Sequence, residues 1–239
     1  MSLRIGMPLA AIAVALSAGA AQAVFVIGNG QQVNLAAVLN SNDRQFQIGD
    51  KLFTILTYTS DTLPAANVSV TGFISANPLD GIGFDLTGGF GDVPGNNVIS
   101  DIVLRYTVEV TEPQLGQGIR IKDTALVFNG SSVGSGSYAR VDESILDFFG
   151  QPGNNLLGTR QVFDIAGPPQ QTQLQDYQEF ADGASYAKLE IIKDIQFFAF
   201  GPNGQASASF VRQAFSQTPT PGGSMLVALG GLILVRRRR

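Results

Sequence analysis

The stretch Asp101-Ile-Val-Leu-Arg-Tyr-Thr-Val-Glu-Val110 decides how the rest of the chain is read. Ile102, Leu104, Tyr106, Val108 and Val110 fall on one side of a period of two, and Val103, Arg105, Thr107 and Glu109 on the other. Successive side chains of an extended chain point to opposite faces, so this is a strand with one face against a core. Outward from it, the same alternation returns in Leu189, Ile191, Ile195, Phe197 and Ala199, with Lys193 as its one polar interruption. Segments 52–59, 68–75, 119–128 and 137–145 also predict strands. Breaks rich in Gly and Asn separate them: Asn129-Gly130, Gly134-Ser135-Gly136 and Gly201-Pro202-Asn203-Gly204.

Between the chain ends no segment sustains a period of 3.6. The helix candidates are short, at 35–39 and 176–181. Many short strands joined by glycine-rich turns predict an all-β fold, an antiparallel, jelly-roll-like β-sandwich over residues 24–217. Residues 151–183 read as a long connection with one strand near 160–165. Ile121-Lys122-Asp123 and Ile192-Lys193-Asp194 each lead into a strand, a turn and a second strand, an echo that predicts two related hairpins.

Composition narrows the function classes. The 239 residues hold 15 Lys and Arg against 19 Asp and Glu, with no Cys, His or Trp. Five of the basic residues lie in the terminal segments and none of the acids do, leaving ten basic against nineteen acidic between them. An acidic body repels phosphate backbones, so nucleic acid is not an expected partner. Without His or Cys, thiol chemistry and the usual zinc, copper and iron–sulfur sites have no ligands, and Ser-His triads lose their base. No enzyme activity and no cofactor are expected.

Both ends read as addresses. Residues 1–23 carry Arg4, an apolar run over 5–18 and the small-x-small triplet Ala21-Gln22-Ala23, which predicts a helical secretory signal peptide cleaved before Val24. Export translocon and signal peptidase are the implied partners. Residues 218–239 contain Pro219-Thr220-Pro221-Gly222-Gly223-Ser224, then eleven apolar or small residues from Met225 to Val235, then Arg236, Arg237, Arg238 and Arg239. As a helix the apolar part rises only about 16 Å against a hydrocarbon core of about 30 Å. Four arginines at its end act as a cytoplasmic stop. A polar spacer before a short apolar tail is also the logic of a processed tail signal.

This ordered terminus resembles the PEP-CTERM sorting signal of Gram-negative bacteria. Pro219 and Pro221 take the motif prolines, with Thr220 where Glu is usual. Gly222-Gly223-Ser224 is also similar to the GlyGly-CTERM variant. The resemblance implies transient anchoring in the inner membrane by 225–235 and cleavage near Pro221 by an exosortase-like protease. It further implies release to the cell surface or extracellular matrix, with a structural or adhesive role in exopolysaccharide or biofilm. The close of the body, Ala206-Ser-Ala-Ser-Phe210 and Ala214-Phe215-Ser216-Gln217, is similar to other cargo of this kind. A plain tail anchor is the alternative.

Two body segments carry candidate chemistry. The glycine-rich stretch 77–97 gathers Asp80, Asp85 and Asp92, a weak calcium candidate in a carbohydrate- or calcium-binding module, although turn chemistry selects the same residues. Asp142, Glu143 and Asp147 form a second acidic group. Asp142 and Glu143, being adjacent on a strand, point to opposite faces and cannot flank one glycosidic bond, so they read as solvated charges near a strand end. A glycosidase would need two carboxylates on one face of a cleft.

Overall fold

A computed structural model describes residues 24–75, 81–95, 97–148 and 155–218. Ala21 and Ala23 of the signal segment, Asp80, the motif Pro219 to Ser224, the apolar run 225–235 and Arg236 to Arg239 lie outside the described residues. Among those described, no helix is long and apolar enough to cross a membrane.

The chain is an all-β sandwich of two sheets. The larger takes the order β1(Phe25–Val26), β3(Gln45–Ile48), β4(Lys51–Ser60), β7(Ser100–Val110), β14(Lys188–Phe198), β10(Tyr138–Asp147), β11(Leu156–Ile165), β12(Gln171–Gln173). The smaller takes β13(Gln175–Glu179), β8(Ile121–Phe128), β15(Gln205–Gln217), β6(Ile82–Asp92), β5(Ser69–Ile74), β2(Gln32–Asn34), with β9(Ser131–Val133) also on β15. All pairs are antiparallel except β1 with β3. The chain changes sheet repeatedly, as at β4 to β5, β6 to β7 and β14 to β15.

The strand that fixed the fold class behaves as its period requires. Ile102, Leu104, Tyr106, Val108 and Val110 of β7 are all buried. Leu189, Ile191, Lys193, Ile195 and Phe197 of β14 continue that inner face. Between the sheets Phe46 stacks on Phe53 at 4.9 Å, Phe84 meets Phe53 edge-on at 5.2 Å, and Tyr106 meets Phe84 at 5.4 Å. Each such pair adds about 0.5–1.5 kcal/mol beyond the area it buries. The short helix α1(Leu35–Leu39) forms where the sequence placed it. The Asn34 carboxamide accepts the Ala36 N–H at 2.9 Å, and Leu35 and Val38 are buried.

Four expectations are corrected. The glycine-rich stretch is largely β6, an 11-residue strand between β5 and β15. Its glycines permit close backbone approach: a Cβ on Gly83 would stand 1.8 Å from the Gln213 carbonyl oxygen. The helix candidate at 176–181 is instead β13, paired with β8. Polar residues such as Gln175, Asp176 and Gln178 suit a solvent-facing edge strand, which has no apolar alternation to display. The long connection 151–183 holds β11, β12 and β13. The echoed segments are not hairpins: β8 and β10 lie in different sheets, and so do β14 and β15, so neither pair of strands is hydrogen-bonded. They also face oppositely, for Asp123 and Lys193 are buried while Lys122 is half-exposed.

Candidate functional site

The outer face of the larger sheet is where register gathers chemistry. On β14, Asp194 lies between Val103 of β7 and Asp142 of β10, and Asp142 faces Gln161 of β11. One row further, Gln196 lies between Asp101 and Arg140, and Arg140 faces Phe163. One row beyond that, Phe198 faces Tyr138. Period-two alternation puts Tyr138, Arg140 and Asp142 on one face of β10 and Asp194, Gln196 and Phe198 on the same face of β14.

These side chains hold one another in place. Arg140 forms an ion pair with Asp142, its Nε 2.5 Å from Oδ2, and donates to Oδ1 through Nη2 at 2.9 Å. Gln161 donates to Asp142 at 2.7 Å, and Gln196 to Asp194 at 3.2 Å. The Oδ1 atoms of Asp101 and Asp194 are both buried without a donor. Ionised carboxylates offer only acceptors, so the surroundings of Asp194 favour its protonated form. Accordingly Asp194 is pushed up to about 6, first by burial, then by its hydrogen bond to Asp101 and the charges of Asp101 and Asp142.

An aromatic ridge borders the polar rows. Tyr138 lies 5.6 Å from Phe198, and Phe198 lies 5.9 Å from Phe200, which is 54% exposed. Carboxylate, amide and guanidinium groups beside flat apolar rings form the donor, acceptor and stacking set that a sugar ring can use.

The expected site residues fall elsewhere. Asp85 and Asp92 sit seven residues apart on β6, about 23 Å along the strand. Asp85 pairs with Arg212 at 2.7 and 2.9 Å, and Arg212 packs over Phe73. Asp92 accepts from the backbone of Val93 and Ala199 and from Ser100, tying two loops together. Among the described residues no group of three or more His, Cys, Asp or Glu side chains could hold a metal.

Asp142 and Glu143 do point to opposite faces. Glu143 is not a solvated charge, however: it is buried and paired with Lys193. Sequence reasoning missed Asp101, Arg140, Gln161, Asp194, Gln196, Phe198 and Phe200. The alternation was legible for each strand, but the register that places Asp194 beside Asp142 was not.

A pocket of about 350 Å³ lined by Leu52, Glu109, Val110, Thr111 and Lys188 lies at the far end of β7. Glu109 is eight residues from Asp101, about 26 Å along the strand. Lys188 pairs there with Glu109 at 2.8 Å, and Glu112, also in the lining, accepts from the Gly116 N–H at 3.0 Å.

No protein-family model and no curated protein matches the chain. Among solved structures it is similar to TmCBM61 in complex with β-1,4-galactotriose, at 9% identity and a TM-score of 0.32, over 67% of this chain and 88% of that one. It is similar to the mannan-recognising carbohydrate-binding module TmCBM27, at 10% identity and 0.30, over 78% and 96%. A third is a thermostable cellulase derived from Cel12A of Rhodothermus marinus, at 8% and 0.24, over 70% and 99%. At TM-scores this low, what those proteins bind says nothing about this chain.

Proposed function

We propose that the body is an exported, non-enzymatic polysaccharide-binding β-sandwich. In this reading the chain ends deliver a jelly-roll-like module to the surface or matrix, and the outer face of the larger sheet holds the glycan. The observation that carries the binding half is the aromatic ridge Tyr138, Phe198 and Phe200 set against the polar rows of Asp142, Asp194, Arg140, Gln161 and Gln196. The delivery half rests on the Ala21-Gln22-Ala23 triplet, the paired prolines and the arginine cluster. An exosortase-like protease and exopolysaccharide are its proposed partners.

Affinity electrophoresis and calorimetry against soluble acidic and neutral exopolysaccharides test the binding half. The expected result is saturable binding that Phe200→Ala and Arg140→Ala each weaken by about tenfold, near 1.4 kcal/mol. Absence of binding, or binding indifferent to both changes, overturns it. Product analysis of the same mixtures tests the non-enzymatic part. Released oligosaccharides would refute that reading. Intact mass of secreted and membrane fractions tests delivery: a secreted form from Val24 to near Pro221 supports it, and a membrane form ending at Arg239 makes the tail an anchor.

A further inference from the structure

Lys193, the polar interruption in the β14 pattern, lies at the centre of the sandwich. Its side chain and that of Glu143 are 0% exposed. Lys193 and Glu143 are register partners on β14 and β10. From the opposite sheet, the fully buried Gln213 of β15 turns its carboxamide to the same ammonium, so Lys193 Nζ donates to Glu143 Oε2 and to Gln213 Oε1. Apolar Leu104, Ile191, Ile195 and Phe84 flank Lys193 and Gln213 along and across the strands, and the buried Arg160 of β11 faces Glu143 from its other side. Glu143 Oε1 and the Tyr106 hydroxyl are buried beside them without partners.

A primary amine, a carboxamide and a carboxyl group held together in a fully buried site are the parts of an amide exchange. We propose that Lys193 Nζ and Gln213 Cδ join in an intramolecular isopeptide bond, with Glu143 as the proton carrier, linking the two sheets covalently. The inference does not depend on glycan binding.

Burial disfavours separated charges, so the ion pair passes to neutral amine and carboxylic acid when the ammonium proton moves to Glu143. Desolvation accordingly pushes Lys193 below the usual lysine range, opposed by the Glu143 charge and hydrogen bond. The Nζ lone pair attacks Cδ, and the C=O π pair moves to Oε1. Glu143 gives its proton to Nε2, the Oε1 pair re-forms the C=O bond as the Cδ–Nε2 bond breaks with its electrons on nitrogen, and ammonia leaves. The surplus proton on Nζ passes through the Glu143 carboxylate to the ammonia. In sum, an ammonium and a primary amide become a secondary amide and an ammonium ion, with no oxidant or co-reactant. The fold supplies the proximity that such exchange lacks in solution.

The same residue types meet a second time. Lys51 Nζ lies 2.6 Å from Asp50 Oδ1 and 2.6 Å from Gln217 Oε1. Here too the ion pair is buried, with Asp50 9% and Lys51 0% exposed, but Gln217 is half-buried. Solvent reaches the carboxamide there, so this triad serves as the unreactive comparison.

The test is intact mass of the natively purified full chain under denaturing conditions, followed by tryptic mapping. The expected chain is lighter than its sequence, after any terminal processing, by one ammonia. Its digest resists cleavage after Lys193 and joins the peptide 189–212 to the peptide that begins at Gln213. Glu143→Gln and Lys193→Arg are expected at full mass. To separate chemistry from misfolding, wild-type chain recovered unfolded from inclusion bodies should start at full mass and lose ammonia only after refolding. A native chain at full mass that is cleaved after Lys193 overturns the proposal. So does a deficit that maps to Lys51–Gln217 or Asn129-Gly130.

Discussion

At the scale of single residues, Asp194 gives the sandwich a pH dependence of definite sign. The groups facing it are Asp101 on β7, Asp142, Arg140 and Tyr138 on β10, and Gln196 on its own strand. Its pKa near 6 in the fold lies above the unfolded value of about 4. Across that window the native state holds more protons than the unfolded chain, so the free energy of unfolding falls as pH rises through it. The melting temperature is therefore expected to decline from pH 4 to pH 7 by more in the wild type than in Asp194→Asn, whose side chain can donate to Asp101 without a titrating proton. Calorimetric scans of both proteins across that range check this. A variant that is less stable than wild type at pH 7, with an equal slope, would show that the Asp101–Asp194 contact is not strained by charge.

At the scale of elements, β6 shows what the sequence hides. Alternation is legible where β-branched and aromatic residues mark it, as in β7, β14 and β4. In Ile82-Gly-Phe-Asp-Leu-Thr-Gly-Gly-Phe-Gly-Asp92 the glycines resemble turn signals, although Phe84, Leu86 and Phe90 already carry the buried face. Gly83 and Gly91 answer to β15, a strand more than a hundred residues away, so no local rule could assign them. Gly83→Ala makes this testable. A Cβ there meets the Gln213 carbonyl oxygen at 1.8 Å and the Cα of Ala214 at 2.9 Å, so the strands must part. The expected loss is about 1–3 kcal/mol, the range of overpacked cores, read from the midpoint of guanidinium unfolding. Because the displaced residue is Gln213, the variant is also expected to keep its full mass. An unfolding midpoint equal to wild type would mean that β6 and β15 are less closely apposed than described. The Asn34 cap of α1 is the opposite case, a local signal sufficient to place its element.

At the scale of the whole molecule, a charged and polar row runs through the interior that the sequence assigned to solvent. Arg160, Glu143 and Lys193 are neighbours across β11, β10 and β14, and Gln213 meets them from the other sheet. Charge alone made Glu143 read as a surface residue; only the register of three strands and the facing of two sheets turn it inward. Such a row is expensive to break from one side. Removing Lys193 alone leaves the Glu143 carboxylate buried with only Arg160 nearby, whose guanidinium is already held by Gln178 and the Thr159 carbonyl. Lys193→Met is therefore expected to cost about 3–5 kcal/mol. The combination Glu143→Leu, Lys193→Met and Gln213→Leu removes every unpaired group of the triad at nearly constant volume, and is expected to cost far less or to stabilise. This ordering holds whether the triad is ionic or joined, since both variants lack the amine and only Lys193→Met keeps the buried Glu143 side chain. Guanidinium unfolding of the three proteins reads it directly. If the triple variant lost more stability than Lys193→Met, the triad would be a net source of stability between the sheets, and its polar groups would be better matched than their burial implies.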